Sequence, residues 1–243
     1  MIKYTSSKTV FVEGAKDIFE LILSSPSEID EVLWYKKAKK LKDFDEIIKN
    51  ALNKNIDVRE ITAKEYNTLK HTVHSKGIFA AVNIPEYDLE DVLHNSSFII
   101  ALDSIQDPGN MGTILRTAKV LGVDAVLISK RSAHICNTKV LRAVKGYMQG
   151  IPFIEDIDFN DTIPLIKEYK YKIFMSGMNG KNIYDVNFNK PVCVFFGNEG
   201  QGIREEIMNA GQEITIPMKQ KESSLNVAVS AGIVILEVMR QCR

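Results

Sequence analysis

Cysteine is scarce, net charge is absent, and no apolar run is long enough to cross a membrane. The three cysteines, Cys136, Cys193 and Cys242, are odd in number and widely spaced. That argues against a disulfide framework and lacks the paired spacing of a zinc cluster, so no metal is expected. Lysine plus arginine equals aspartate plus glutamate at 31 each. Global charge therefore selects no class of partner, although a local basic patch would suffice for nucleic acid. The opening residues, MIKYTSSKTVFVEG, have no apolar core of a signal peptide. The expectation is a cytoplasmic protein with no membrane partner. Internal repeats and low-complexity tracts are missing too. What is present is a 243-residue chain, 45% hydrophobic and 26% charged, with room for one large domain or two modest ones.

The chain is organised around Phe98 to Arg116, FIIALDSIQDPGNMGTILR. An apolar strand, FIIAL, breaks at Asp103 and enters a polar turn containing Pro108 and Gly109. The chain resumes as a helix in which Ile114, Ala118 and Leu121 recur at offsets of four and three, making one buried face. Asn110 either caps that helix or presents its amide at the strand's carboxyl end, where open α/β sheets place their sites. Arg116 lies near the second turn, within reach of the same crevice. An ordinary strand–loop–helix with an Asn cap accounts for the same residues.

Before this stretch, residues 10 to 94 read as a small α/β unit. Strands are expected at Val10–Glu13, Ile29–Trp34, Asp57–Ile61 and Gly77–Val82, with a helix at Gly14–Leu23. Thr62, followed three residues on by Glu65, forms a capping-box signature. The segment IPEYDLEDVLHNSS reads as the linker between this unit and the rest of the chain. Trp34, Tyr35, Lys36, Lys37, Lys39 and Lys40 interleave aromatic and basic side chains, which suits an RNA contact and equally a solvated helix face. After Phe98 the pattern is strand–helix repeated, with strands at Phe98–Leu102, Ala125–Ser129, Lys172–Ser176, Val192–Phe196 and Glu213–Ile216. Apolar runs of this length fit a mostly parallel sheet covered on both faces.

Three further constellations stand out. Residues 129 to 150 carry Lys130, Arg131, Lys139, Arg142 and Lys145 and no acidic residue, a surface that attracts phosphate. The isolated His134 within it points to neither a metal nor a base. VCVFFGNEGQGI, residues 192 to 203, ends a buried strand in a three-glycine turn where backbone groups can lie against a ligand. Its spacing is neither a dinucleotide fingerprint nor a P-loop, and Glu199 would repel a pyrophosphate, so a neutral or cationic ligand fits better. Finally, ITIPMKQKESSLNVAVSAGIVILEVMRQ passes from a short strand through a polar loop into a helix capped by Ser223 or Ser224. Ala228, Ala231, Gly232, Ile235 and Met239 make one helix face explained by packing, whereas the Ser224-Leu225-Asn226 triplet is not.

Taken together, the patterns LD-x-x-x-DPGN-x-G-x-x-x-RTA (Leu102 to Ala118), FGNEG-x-G (Phe196 to Gly202) and IPM…SLNV running into E-x-x-R (Ile216 to Arg240) closely resemble the three motifs of the SpoU/TrmH family of RNA ribose 2'-O-methyltransferases. Their order and spacing match, and Ser75 to Val82, SKGIFAAV, is similar to a segment of the family's N-terminal domain. The resemblance covers nearly the whole chain. It implies an α/β fold with a trefoil-knotted, SPOUT-like methyltransferase domain over residues 97–243. A smaller ribosomal-protein-like α/β domain for substrate RNA would occupy residues 1–90. It also implies S-adenosyl-L-methionine as cofactor and a homodimer whose acceptor site draws on both subunits. Cofactor contacts would come from Ser176, Gly177, Phe196, Gly197, Asn198, Gly200, Ile216, Met218 and Leu225. Arg116 matches the family's catalytic arginine, with Asn110, Glu199, Ser224 and Asn226 as the other polar site positions. Arginine is nearly always protonated, so positioning and charge stabilisation come before a base role. Two positions depart from the pattern: Val144, where the family often has Ser, and Gln220, where it usually has Gly. The substrate implied is ribosomal RNA, most simply 23S. Alternatives are transfer RNA, an rRNA methyltransferase conferring antibiotic resistance, or a non-catalytic RNA-binding relative.

Overall fold

The computed structural model describes residues 8–24, 26–36, 43–70, 75–84, 86–135, 137, 139–140, 151–219 and 224–242. Lys37, Lys39, Lys40, Arg142, Val144, Lys145, Gln220 and Ser223 lie outside the described residues, as does Cys136. Two compact units divide the chain, residues 6–86 and residues 87–243.

In the first unit, β1 (Lys8–Glu13), α1 (Ala15–Ser24), β2 (Ile29–Tyr35), α2 (Phe44–Asn53), β3 (Asp57–Ile61), α3 (Ala63–Leu69) and β4 (Ile78–Ile84) follow in order. The sheet order is β1-β4-β2-β3. Strand β4 runs antiparallel to both neighbours, and β2 is parallel to β3. The expected capping box is present: the Thr62 side chain accepts from Glu65 N, and the Glu65 carboxylate accepts from Thr62 N. Leu33, Ile61 and Phe79 form a small core on one face, with Phe11, Tyr35, Tyr66 and Leu69 packed on it.

The second unit begins earlier than the linker reading placed it. Residues Leu89–Asn95 form a helix, α4, capped by the Asp88 carboxylate, which accepts from Glu90 N and Asp91 N. Leu89, Val92 and Leu93 are buried in the main core. Their three–four spacing is a helical period, and that periodicity outweighs the polar look of the segment.

Beyond α4 come β5 (Phe98–Leu102), α5 (Pro108–Leu121), β6 (Ala125–Ser129), β7 (Phe153–Ile157), α6 (Phe159–Glu168), β8 (Lys172–Asn182), β9 (Val192–Phe196), α7 (Glu205–Met208), β10 (Gln212–Thr215) and α8 (Val227–Gln241). Six strands in the order β10-β8-β9-β5-β6-β7 make one sheet, parallel at every pairing. Every residue of β5, β6 and β9 is buried, as expected for strands covered on both faces. Ile99, Ala101, Leu127, Cys193 and Phe195 pack with α4, α6 and α7 residues in one core cluster. The alternate residues of the same strands point the other way.

Helices α5 and α8 pack against each other. A Cβ on Gly232 would sit 3.6 Å from Thr117 Cγ2, an ordinary contact distance, so the helices meet at this point without a steric need for glycine. Strand β7, which carries Glu155 and Asp156, was not expected from the sequence. Among the described residues, no helix is long and apolar enough to cross a membrane.

Candidate functional site

The sheet order reverses direction between β5 and β9. The connection from β5 leads to β6 on one side, while β9 and β8 lie on the other, and Leu102 pairs with Phe196. The carboxyl ends of β5 and β9 therefore open side by side. Such a reversal leaves a crevice beyond the strand ends.

On the β5 side, Asp103 is fully buried. Its backbone N donates to Phe196 O at 2.8 Å. Its carboxylate accepts from Arg204 N at 3.1 Å and from Arg204 Nε at 2.9 and 3.1 Å. The first and second motifs are thus clamped together by a buried carboxylate. Ser104 next to it has φ +63°, a region few non-glycine residues occupy. Its N donates to Ser129 Oγ, and its O accepts from Asn198 Nδ2 at 3.0 Å.

On the β9 side, the chain folds back on itself at Gly197 to Gly202. Asn198 and Gly202 exchange backbone hydrogen bonds of 2.9 Å in both directions. Asn198 Oδ1 accepts from Gly200 N and Gln201 N. A Cβ on Gly197 would collide with the backbone of Gly202 and Ile203, so this close return requires glycine.

The third wall is made by β8 and β10. Consecutive residues Glu213 and Ile214 pair with Met175 and Lys181, so residues between these bulge out of the ladder. Within that arc, Asn179 N donates to the Glu213 carboxylate at 3.1 Å, and Thr215 Oγ1 donates to Met178 O. The sequence reading ended this strand at Ser176. It continues to Asn182 because the polar residues beyond the arc still find backbone partners on β10.

These walls enclose a cavity of about 500 Å³, within the range of small-ligand sites. All nine positions expected for the cofactor line it: Ser176, Gly177, Phe196, Gly197, Asn198, Gly200, Ile216, Met218 and Leu225. Glu199 and Ser224 line it as well. Not anticipated were Met178, Asn179, Glu205, Met208 and Glu213. Glu205 and Glu213 carry no motif signature and enter through the chain turn and the arc. Glu199, Glu205 and Glu213 give the cavity three carboxylates, and among the described residues no lysine or arginine lines it. That charge pattern suits a cationic ligand and opposes a polyphosphate.

Two expectations about caps change. The cap of α5 is Asp107, whose carboxylate accepts from Asn110 N at 2.7 Å, with Pro108 at the first helical position. Asn110 sits inside the first turn, where its side-chain amide takes no part in capping the helix. The cap of α8 is Asn226, not Ser223 or Ser224, and its Oδ1 accepts from Ala228 N and Val229 N. Both asparagines are then linked: Asn226 Nδ2 donates to Asn110 Oδ1 at 2.9 Å, and Asn110 Nδ2 donates to Glu199 Oε1 at 2.9 Å. One chain of hydrogen bonds joins residues from all three motifs, 116 positions apart at the widest. Asn110 and Asn226 are not among the cavity-lining residues, and neither is Arg116, which is exposed on α5.

Of the basic stretch after β6, the described part holds His134, whose Nδ1 lies 2.9 Å from the buried Glu155 carboxylate. Glu155 also accepts from Ile135 N at 2.8 Å. His134 thus has a structural partner. Among the described residues, no group of three His, Cys, Asp or Glu side chains is placed to hold a metal ion.

Comparison with known proteins agrees with this architecture. Residues 97–236 match the SpoU rRNA Methylase family, and residues 11–88 match a family described as RNA 2'-O ribose methyltransferase substrate binding. An uncharacterized tRNA/rRNA methyltransferase of Borreliella burgdorferi is 31% identical over 86% of this chain and 97% of its own. The 23S rRNA (guanosine-2'-O-)-methyltransferase RlmB of Neisseria meningitidis is 32% identical over 81% of each chain. In fold, the AdoMet-bound rRNA methyltransferase from Sinorhizobium meliloti superposes with a TM-score of 0.79 over 96% of this chain and 87% of that one, at 22% identity. The α/β architecture, with its parallel six-stranded sheet, is that of the SPOUT methyltransferases. The chain belongs to the SpoU family of RNA methyltransferases.

Proposed function

We propose that this protein transfers a methyl group from S-adenosyl-L-methionine to a ribose 2'-hydroxyl of ribosomal RNA, with 23S rRNA as the substrate class. As a SpoU-family member it is an S-adenosylmethionine-dependent RNA methyltransferase. The observation that supports the transfer site is the Asn226–Asn110–Glu199 chain, set beside a cavity lined by every expected cofactor position. The similarity to a 23S rRNA (guanosine-2'-O-)-methyltransferase supports ribosomal RNA as the substrate class. The cavity fits the cofactor on its own terms. Its size suits a nucleoside, its glycine loop admits a ligand against backbone groups, and its three carboxylates favour a sulfonium.

When bound, S-adenosylmethionine supplies an electrophilic methyl group. The chain's own residues then have three tasks. The loop at Gly197, Asn198 and Gly200 and the apolar side chains of Phe196, Ile216, Met218 and Leu225 hold and orient the cofactor. Asn110 and Asn226, held by Glu199 and by the α8 cap, position the acceptor ribose in line with the methyl, together with Ser224. Arg116 neutralises the adjoining phosphate and the charge developing on the 2'-oxygen. Arg116 projects from the outside of α5, which is why we assign it to the site of a second copy in a homodimer. Val120 on α5 and Val229 and Leu236 on α8 are exposed apolar side chains on the same two packed helices, a surface suited to self-association.

The test is methyl transfer from labelled S-adenosylmethionine to separated ribosomal and transfer RNA, with wild type beside Arg116→Ala. Label in ribosomal RNA, reduced at least about 100-fold in the variant, is the expected result. Label in transfer RNA alone, or none despite cofactor binding, overturns the reading.

A further inference from the structure

The aromatic–basic stretch at the end of β2 has no part in the chemistry above, yet the first unit gives it a defined setting. Neighbouring residues of a strand point to opposite faces, and here they part company. Trp34 packs edge-on against Phe44, with ring centroids 5.2 Å apart, on the α2 side. Tyr35 turns to the α3 side and stacks on Tyr66, with centroids 4.5 Å apart and planes 12° from parallel. Lys70 Nζ lies over the Tyr66 ring at 5.6 Å. Both tyrosines are partly exposed at the rim of the small core.

The topology brings a second segment to the same place. Tyr35 N donates to Gly77 O at 2.7 Å, Trp34 pairs with Ile78, and Tyr66 OH donates to Ser75 O. Lys36 and Lys76, which follow and precede that backbone pair, are both exposed, as is Lys70. Three exposed lysines therefore lie on segments that meet at the sheet end bearing the stacked aromatic pair, with Lys70 over the Tyr66 ring. Of the acids in the same unit, Glu65 binds Arg59 and Thr62 and Glu31 binds Arg59, while Glu60, across from Trp34 on β3, and Glu13, across from Phe79 on β1, stand at this end of the sheet as well. The Arg59 guanidinium, with the Thr62 donors, holds the Glu65 carboxyl down at about 2. In sequence, the adjoining residues 37–42 and 71–74 contain four lysines, two histidines and no acid.

From this juxtaposition we infer that the sheet end bearing Tyr35, Lys36, Tyr66, Lys70 and Lys76 is the face on which substrate RNA docks. The lysines meet backbone phosphates, and the tyrosine pair offers a stacking platform to an unpaired base. The chemistry is that of single-stranded RNA recognition, in which phosphate contacts position and aromatic rings hold unstacked bases. This assignment rests on the reading that the chain acts on RNA, and it adds where the first unit holds it.

The probe is protein-free ribosomal RNA, and the readout is the salt dependence of its binding to the full-length protein. Lys36→Ala/Lys70→Ala/Lys76→Ala is compared with Lys16→Ala/Lys49→Ala/Lys54→Ala, which removes the same charge from exposed positions elsewhere on the unit. For the first triple, the slope of log affinity against log salt should fall by about 2 to 3, with S-adenosylmethionine binding unchanged. For the second, the slope should stay at the wild-type value. Equal effects of the two triples, or none from the first, overturn the docking face while leaving the enzyme reading intact. Failure of the wild-type protein to bind ribosomal RNA overturns both.

Discussion

At the scale of single residues, the site depends on amides whose two ends do different work. Asn226 accepts from the first turn of α8 with its oxygen and donates to Asn110 with its nitrogen. Asn226→Ala removes both and should cost about 1 kcal/mol as a lost helix cap, along with activity. Asn226→Asp separates the two roles. A carboxylate still accepts from Ala228 N and Val229 N, and its charge suits a helix N-terminus. It has no proton to give Asn110, so an oxygen–oxygen contact remains somewhere along the chain to Glu199, whichever way the Asn110 amide turns. The expected outcome is a melting temperature at or above wild type with methyl transfer reduced at least about tenfold. Thermal unfolding and single-turnover transfer on the same preparation check it, and undiminished transfer would remove Asn110 and Asn226 from the proposed machinery.

At the scale of elements, the strands whose residues are all buried, β5, β6 and β9, were legible because continuous apolar runs bounded by turn residues have one reading. The glycine loop after β9 was legible for the same local reason. Strand β7 was not: Glu155 and Asp156 interrupt its alternation, and what permits the buried Glu155 is Ile135 N and His134, 20 residues earlier in the chain. The capping positions of α5 and α8 also eluded the pattern, since Asp107, Asn110, Ser224 and Asn226 are all chemically able to cap and only the backbone path selects among them. The clamp between Asp103 and Arg204 is a third long-range feature, linking elements 101 residues apart. Asp103 is fully buried, and Arg204 directly follows the glycine loop. Asp103→Ala leaves a mostly buried guanidinium with only the exposed Glu206 carboxylate, 3.5 Å away, as an ionic partner, and should lower stability by about 3 kcal/mol. Because the clamp also sets the loop's seat on β5, S-adenosylmethionine affinity should fall with it. Chemical denaturation and calorimetric titration read the two effects. A destabilised variant with unchanged cofactor affinity would show that the loop holds its shape without the clamp.

At the scale of the whole molecule, the arrangement poses a question that one chain does not answer alone. The cavity, the asparagine chain and Glu199 belong together, while Arg116 faces outward from α5 beside Val120, with Val229 and Leu236 exposed on the helix packed against it. A two-fold dimer through α5 and α8 would place each Arg116 on the partner's side of the interface, because an isologous contact presents the same patch from both subunits. Mixing separates this from an arrangement within one chain. Arg116→Ala and Asn226→Asp, co-expressed with different tags and purified as the mixed dimer, are each inactive or nearly so. If Arg116 serves the partner's site, one site of the mixed dimer has the arginine of one chain and the asparagine of the other, both intact. The second site carries both defects. Activity should then return to about half that of wild type. If Arg116 serves its own chain, every site keeps one defect, and the mixed dimer is no better than its parents. Sedimentation of the wild-type protein as a monomer would overturn the shared site before any mixing is done.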